Sequence, residues 1–254
     1  RISKMDYVFI TGMGRSGTKF LTNVLGHIEG VHSVHEHIGN REFWLLSWYL
    51  PPNEYTIPFL ERKKKEVERN FKPGVFIDTN GYVQNAVPEL RTVFQPRKVF
   101  HFVRDPREVV RSIYTRRNEK DIHLIPKTKA EILEWFESDK FTQICWNWAN
   151  TTEQLLKLDT ELIHFEKIKS DFEYFESKIL KPIGLEMTKS KWQEIVAIKV
   201  NKTHAAWYRW MYAKLRNKVY IKDELPKYPD WTAEQKQKLV DICGPAMVKC
   251  GYKI

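Results

Sequence analysis

The chain has 254 residues, 42% of them apolar, and a formal net charge of +10. That is enough apolar chain for one α/β domain over residues 1–254, and it excludes a scaffold too small to bury a core. The positive balance points to an anionic partner, and no run of 18 apolar residues offers a membrane span.

Tyr7 to Thr11 is a short apolar run that breaks into glycines, as a buried strand does. Ser16 to Ile28 then places Phe20, Leu21, Val24, Leu25 and Ile28 on one helical face, and Gly30 ends it. Val31 to Val34 has the composition of a short second strand. Glu61 to Arg69 mixes both charge signs and reads as a solvated helical face. Val75 to Ile77 predicts a strand before Asp78-Thr79-Asn80, and Tyr82 to Phe94 a helix. Lys98 to Val103 predicts a central strand, with Pro106 suited to the first turn of a helix over Arg107 to Arg116. Asn118 to Lys129 reads as a surface loop with the character of a lid. Helices over Phe141 to Leu158 and Asp171 to Leu180 flank a strand at Glu161 to Phe165, and Thr232 to Cys250 closes the chain as a helix. Strands alternating with helices predict a three-layer α/β fold, with a mainly parallel sheet covered on both faces and ligands at the carboxyl ends of its strands.

Cys145, Cys243 and Cys250 have no metal-ligand spacing and read as free thiols in a reducing compartment. The chain starts without a secretory pattern, so a cytoplasmic location is expected unless a leader has been trimmed.

Gly12-Met13-Gly14-Arg15-Ser16-Gly17-Thr18-Lys19 follows a strand and opens a helix. The glycines allow a tight turn with N–H groups pointing inward, and the helix start adds partial positive charge. Arg15 and Lys19 add full charges, while Ser16 and Thr18 add hydroxyl donors. Gly12 and Gly17 have the spacing of a Walker A loop. However, Thr18 stands where that loop needs Lys, and Phe20 replaces the hydroxyl that would hold magnesium. The loop instead resembles that of the PAPS-dependent sulfotransferases, in which a Lys/Arg-Ser-Gly-Thr-Thr stretch holds the 5′-phosphosulfate without a metal. Arg15-Ser16-Gly17-Thr18 matches that stretch, Lys19 departs from its second Thr, and Phe20 falls where members carry an aromatic residue near the adenine.

The resemblance extends to Arg104-Asp105-Pro106 with Ser112 eight residues after Arg104. In that family the equivalent Arg and Ser hold the 3′-phosphate of PAPS. Phe165-Glu166 is similar to the family's aromatic-Glu pair, and Trp231 to Tyr252 to its closing helix. The resemblance therefore implies a P-loop-like fold, PAPS as co-substrate and PAP as product. It implies cofactor contacts at Gly14, Arg15, Ser16, Gly17, Thr18, Lys19, Phe20, Arg104 and Ser112, and no metal requirement.

Sulfuryl transfer needs a general base for the acceptor and a cation near the bridging oxygen. Glu36 is the expected base, with His35 and His37 as alternatives, and Arg15 with Lys19 support is expected at the bridging oxygen. His27, His32, His101, His123, His164 and His204 read as structural. Asp78 and Asn80 could hydrogen-bond an acceptor or simply cap the strand-to-helix turn. Trp44, with Trp48 and Tyr49, could pack one, or belong to the core. Asn201, Lys202 and Arg209 fall where the family closes a segment over the nucleotide. Two rivals stand beside this reading: a P-loop kinase or nucleotide hydrolase, which would need a magnesium hydroxyl after Thr18, and a non-catalytic polyanion binder. No nucleic-acid motif is present, and the acceptor, a small molecule or a carbohydrate, is not readable.

Overall fold

The computed structural model describes residues 4–115, 124–198, 211, 214, 215 and 224–254. Its centre is a five-stranded parallel sheet in the order β2-β3-β1-β4-β5. The strands are β1 (Asp6–Thr11), β2 (Val31–His35), β3 (Val75–Thr79), β4 (Lys98–Val103) and β5 (Glu161–His164). Every residue of β3 is buried, as are all but the first of β1 and β4. That pattern explains the near-continuous apolar runs in the sequence: a parallel sheet with helices on both faces has no wet side.

On one face, α1 (Thr18–Leu25), α8 (Phe165–Ser170), α9 (Phe172–Phe175), α10 (Lys181–Ile183) and α11 (Lys189–Ala197) pack onto Val8, Ile10, Phe100 and Phe102. The other face has two cores. One lies under α2 (Arg41–Tyr49), α3 (Pro52–Asn70) and α4 (Val87–Phe94). The second lies among α5 (Pro106–Tyr114), α7 (Lys140–Leu156) and the C-terminal α12 (Ala233–Lys249). A short α6 (Lys129–Glu137) precedes α7. The expected three-layer α/β sandwich is thus observed.

Differences from expectation have local causes. The helix expected over Tyr82 to Phe94 is a 3-10 turn at Gly81–Ala86 followed by α4. Pro88 sits in the first turn of α4, where its missing N–H costs nothing. The stretch expected as one helix from Asp171 to Leu180 changes from α9 to a π turn at Glu176–Leu180. Helix α6 starts where the loop expected over Asn118 to Lys129 ends, in a stretch for which no element was expected, and Thr128 caps its start. Of the expected lid at Asn118 to Lys129, residues 118–123 lie outside the described residues.

All strands run the same way, so all carboxyl ends share one edge. The chain leaves β1 toward β2 and leaves β4 toward β5, in opposite directions from neighbouring strands. This switch point opens a crevice between the two following loops. The glycine loop lies on one side of it and the Arg104 turn on the other.

Candidate active site

The loop after β1 is shaped by close approach. A Cβ on Gly12 would lie 2.1 Å from the carbonyl oxygen of Phe102 in β4, so only glycine fits. Gly17 is the N-cap of α1 with φ 97, and a Cβ there would lie 2.3 Å from the Phe165 ring. Arg15 also has positive φ, at 74, a conformation that costs a non-glycine residue energy. No side chain caps α1, whereas Asn40, Asp105, Thr128, Asp139 and Thr232 cap other helices. A Cβ at Gly14 would meet nothing within 4 Å. The loop is therefore an open concavity faced by backbone and a positive helix end.

The second motif locks onto the first. Arg15 Nε donates to Ser112 Oγ at 3.1 Å, and Arg104 Nη1 donates to the Arg15 carbonyl at 3.3 Å. The Arg104 guanidinium stacks on Phe165, 4.6 Å from its ring centroid, and also pairs with Glu108 at 3.4 Å. Its buried Nε has no hydrogen-bond partner. Below it, Asp105 caps α5 by accepting from the Arg107 N–H. Glu166 accepts from the Asp105 N–H and from the Tyr252 hydroxyl, each at 3.0 Å. The Phe165-Glu166 pair thus supports the arginine turn: the ring by stacking, the carboxylate by holding its backbone.

Ser16 and Thr18 are both buried in the loop, and Thr18 Oγ1 lies 2.9 Å from His35 Nε2. Lys19 is exposed beside the end of β2. Phe20 is a core residue whose ring meets the edge of Phe165 at 5.7 Å, so it backs the site and does not face it.

Glu36 follows β2 with φ 55, and its N–H donates to the Thr79 carbonyl at 3.3 Å. Its carboxylate lies 3.6 Å from His35 Nδ1. Burial raises the Glu36 pKa above its ordinary value, Lys19 works against that rise, and Asp78 adds to it. Burial, with help from Lys19, lowers the pKa of His35. His37 turns away from the loop. Its ring packs on Phe71 and Phe76, and its Nε2 lies 3.9 Å from Glu66 of α3. The expectation that His37 is an alternative base is thereby corrected.

The expected acceptor contacts at Asp78 and Asn80 are also corrected. Both are fully buried. Asp78 accepts from the His37 and Ile38 N–H groups, and Asn80 donates to Asp78 and to the Gly39 carbonyl. Asn80 also caps the 3-10 turn by accepting from the Tyr82 N–H. The two side chains build the loop that presents Glu36. Trp48 and Tyr49 instead hydrogen-bond the Ile125 carbonyl, which ties α2 to the segment before α6. Asn201, Lys202 and Arg209 lie outside the described residues.

Trp44 does line a cavity, of about 170 Å³, together with Gly14, Arg15 and Glu36. The rest of its lining includes Met13, Tyr82, Gln84, Ile113, Ile144, Asn147 and Thr151, which sequence reasoning missed. Asn147 and Thr151 stand four apart on α7, a polar pair in an apolar stripe, and that spacing was the available signal. Gln84 joins the parts. With its amide oriented to suit its neighbours, it donates to the Gly12 and Gly81 carbonyls and accepts from Trp44 Nε1 and Thr151 Oγ1, all within 3.2 Å.

A parallel sheet with an anion cradle on one side of its switch point and a half-buried arginine on the other defines an α/β protein of the P-loop-like class. The chain matches the sulfotransferase domain family over residues 5–251 and belongs to it. A search among curated proteins returns no match. Solved structures with the same fold include the sulfotransferase domain of the Synechococcus PCC 7002 olefin synthase. It has 14% identity and TM-score 0.58, with 99% of this chain and 96% of that one covered. The sulfotransferase domain from the curacin biosynthetic pathway has 12% identity and TM-score 0.55, covering 99% and 100%. Mouse sulfotransferase SULT7A1 complexed with PAP has 18% identity and TM-score 0.51, covering 95% and 84%. Among the described residues no helix is long and apolar enough to cross a membrane, and no cluster of three His, Cys, Asp or Glu side chains could hold a metal.

Proposed function

We propose that this sulfotransferase moves a sulfuryl group from PAPS to an acceptor hydroxyl or amine, with Glu36 as general base. The observation that carries the reading is the join between the two anion sites, through Arg15 Nε to Ser112 Oγ and Arg104 Nη1 to the Arg15 carbonyl. A ligand with one anionic group would need one site; PAPS carries both a 5′-phosphosulfate and a 3′-phosphate.

The donor set fits that molecule. The unpartnered buried Nε of Arg104 and the Ser112 hydroxyl suit the 3′-phosphate. The open concavity at Gly14, the start of α1 and the hydroxyls of Ser16 and Thr18 suit the 5′ end. When bound, PAPS supplies an activated sulfuryl group with a good leaving nucleotide. Phe165 supports the site from behind, with Phe20 at its edge.

The chain's own residues then divide the work. Glu36, on the cavity wall beside Gly14 and Arg15, takes the proton from the acceptor as its oxygen or nitrogen bonds to sulfur. The S–O bond to the nucleotide breaks, and the charge left on its oxygen is stabilised by Arg15, Lys19 and the first amides of α1. His35 bridges Thr18 and Glu36, linking the base to the cradle. A heat-protection assay tests the assignment: PAP should raise the melting temperature without added magnesium. Strong protection by ATP with magnesium and none by PAP would overturn it in favour of a kinase or hydrolase.

A further inference from the structure

We infer that the acceptor enters with an uncharged, mainly apolar end no larger than a single six-membered ring, bearing the hydroxyl or amine that reacts. This rests on the donor-site reading above and adds the substrate class to it.

Size is the first argument. The cavity beside Glu36 has about 170 Å³. An apolar cavity of about 150 Å³ accommodates one benzene molecule, so a single ring or a short alkyl chain fills this one and two fused rings exceed it.

The second argument is the state of its polar groups. Met13, Trp44, Tyr82, Ile113 and Ile144 supply apolar surface. The Trp44 N–H and the Thr151 hydroxyl are satisfied by Gln84, whose own amide is held by the Gly12 and Gly81 carbonyls. The Asn147 amide donates to the Gln143 carbonyl at 3.2 Å. A sugar needs a hydrogen-bond partner for each hydroxyl it buries, and here the Trp44 and Thr151 donors are engaged by Gln84 while Asn147 has given one amide N–H to the Gln143 carbonyl.

The third argument is charge. The chain carries +10 overall, yet among the described residues lining this cavity only Arg15 and Glu36 bear full charges. Both serve the transfer itself. A carboxylate or sulfate on the acceptor would face the Glu36 carboxyl in a partly dry space, and Arg15, the one cation among the described lining residues, is already committed to the leaving nucleotide. The net positive charge therefore does not serve an anionic acceptor at this cavity.

Three acceptors of graded character decide the matter: phenol, 4-hydroxybenzoate and 2-naphthol, each with PAPS and followed by PAP release. The expected kcat/KM for phenol exceeds that for 4-hydroxybenzoate by about 100-fold, the equivalent of losing two tenfold steps to an unpaired charge. Phenol should also exceed 2-naphthol, and Trp44→Ala, which widens the cavity, should raise the naphthol-to-phenol ratio about 10-fold. PAP protection against heat checks that this variant folds. Equal or better turnover of 4-hydroxybenzoate, or of 2-naphthol in the unaltered chain, overturns the inference. So does PAP protection with no PAP release from any neutral acceptor, an outcome that leaves the donor site standing. Absence of PAP protection would instead remove the donor reading.

Discussion

Arg15 Nε lies 3.1 Å from Ser112 Oγ, joining two segments 97 residues apart. Arg104 closes the same join from the opposite side by donating to the Arg15 carbonyl. Replacing Arg104 with Ala should weaken PAP by about 10–100-fold, the range expected for a charge-assisted hydrogen bond worth ~1.5–3 kcal/mol. Adenosine 5′-phosphosulfate, which lacks the 3′-phosphate, should change by a few-fold at most. Calorimetric titration of both ligands separates the outcomes, and equal losses would remove Arg104 from the 3′ site.

Glu36→Gln should retain PAP binding while turnover drops by about 10²–10⁴. In the unaltered enzyme the rate needs the carboxylate form, so kcat/KM rises with pH through the Glu36 pKa. Burial places that limb above the ordinary carboxylate range. Lys19 opposes the shift, so Lys19→Met should move the limb further up. A limb that stays in place in Lys19→Met would sink the electrostatic assignment.

Gly17→Ala combines a positive φ of 97 with a Cβ only 2.3 Å from Phe165. The strain and the displaced ring together should cost about 1–3 kcal/mol of stability. Because Phe165 carries the Arg104 stack, PAP affinity should fall as well. Urea unfolding and PAP titration read the two effects separately.

Glu166→Gln removes the charge but keeps one carbonyl oxygen to accept from the Asp105 N–H, while its NH2 can donate to the Tyr252 oxygen once that hydroxyl turns. It should be mild, whereas Glu166→Ala leaves both donors unpaired and should raise the KM for PAPS with little change in kcat. A fall in kcat alone would contradict a role in positioning the Arg104 turn.

His101 in β4 is 1% exposed, and burial lowers its pKa to about 3, with His164 adding to the effect. The fold holds the neutral ring, while the unfolded chain takes up a proton below its ordinary pKa of 6.5. This contribution to stability is therefore complete above pH 6.5 and is lost as pH falls toward 3. It amounts to several kcal/mol at most. Its Nδ1 is buried without a partner, so His101→Leu leaves no donor stranded. Urea midpoints between pH 7 and 4 should fall less steeply in that variant.

Much of this protein was determined by contiguous residues. A strand breaking into Gly12, Gly14 and Gly17 before a helix is a local event, and so is Pro106 starting a helix after Arg104-Asp105. Alternating strands and helices made the α/β class legible, because each burial pattern has its own period. The crossovers decided the rest. Asp78 and Asn80 are polar residues at a strand end beside the site, which matches the pattern of ligand contacts, but β3 lies between β1 and β2 and both side chains are buried under the Glu36 loop. Glu36 and His37 are adjacent, yet the backbone turns so that one reaches the cavity and the other reaches α3. The cavity itself draws on the loops after β1 and β2, α2, the 3-10 turn, α5 and α7, whose meeting depends on strand order. Motif chemistry travels with neighbours along the chain, whereas the direction of a side chain and the shape of a cavity depend on which distant elements the sheet brings together.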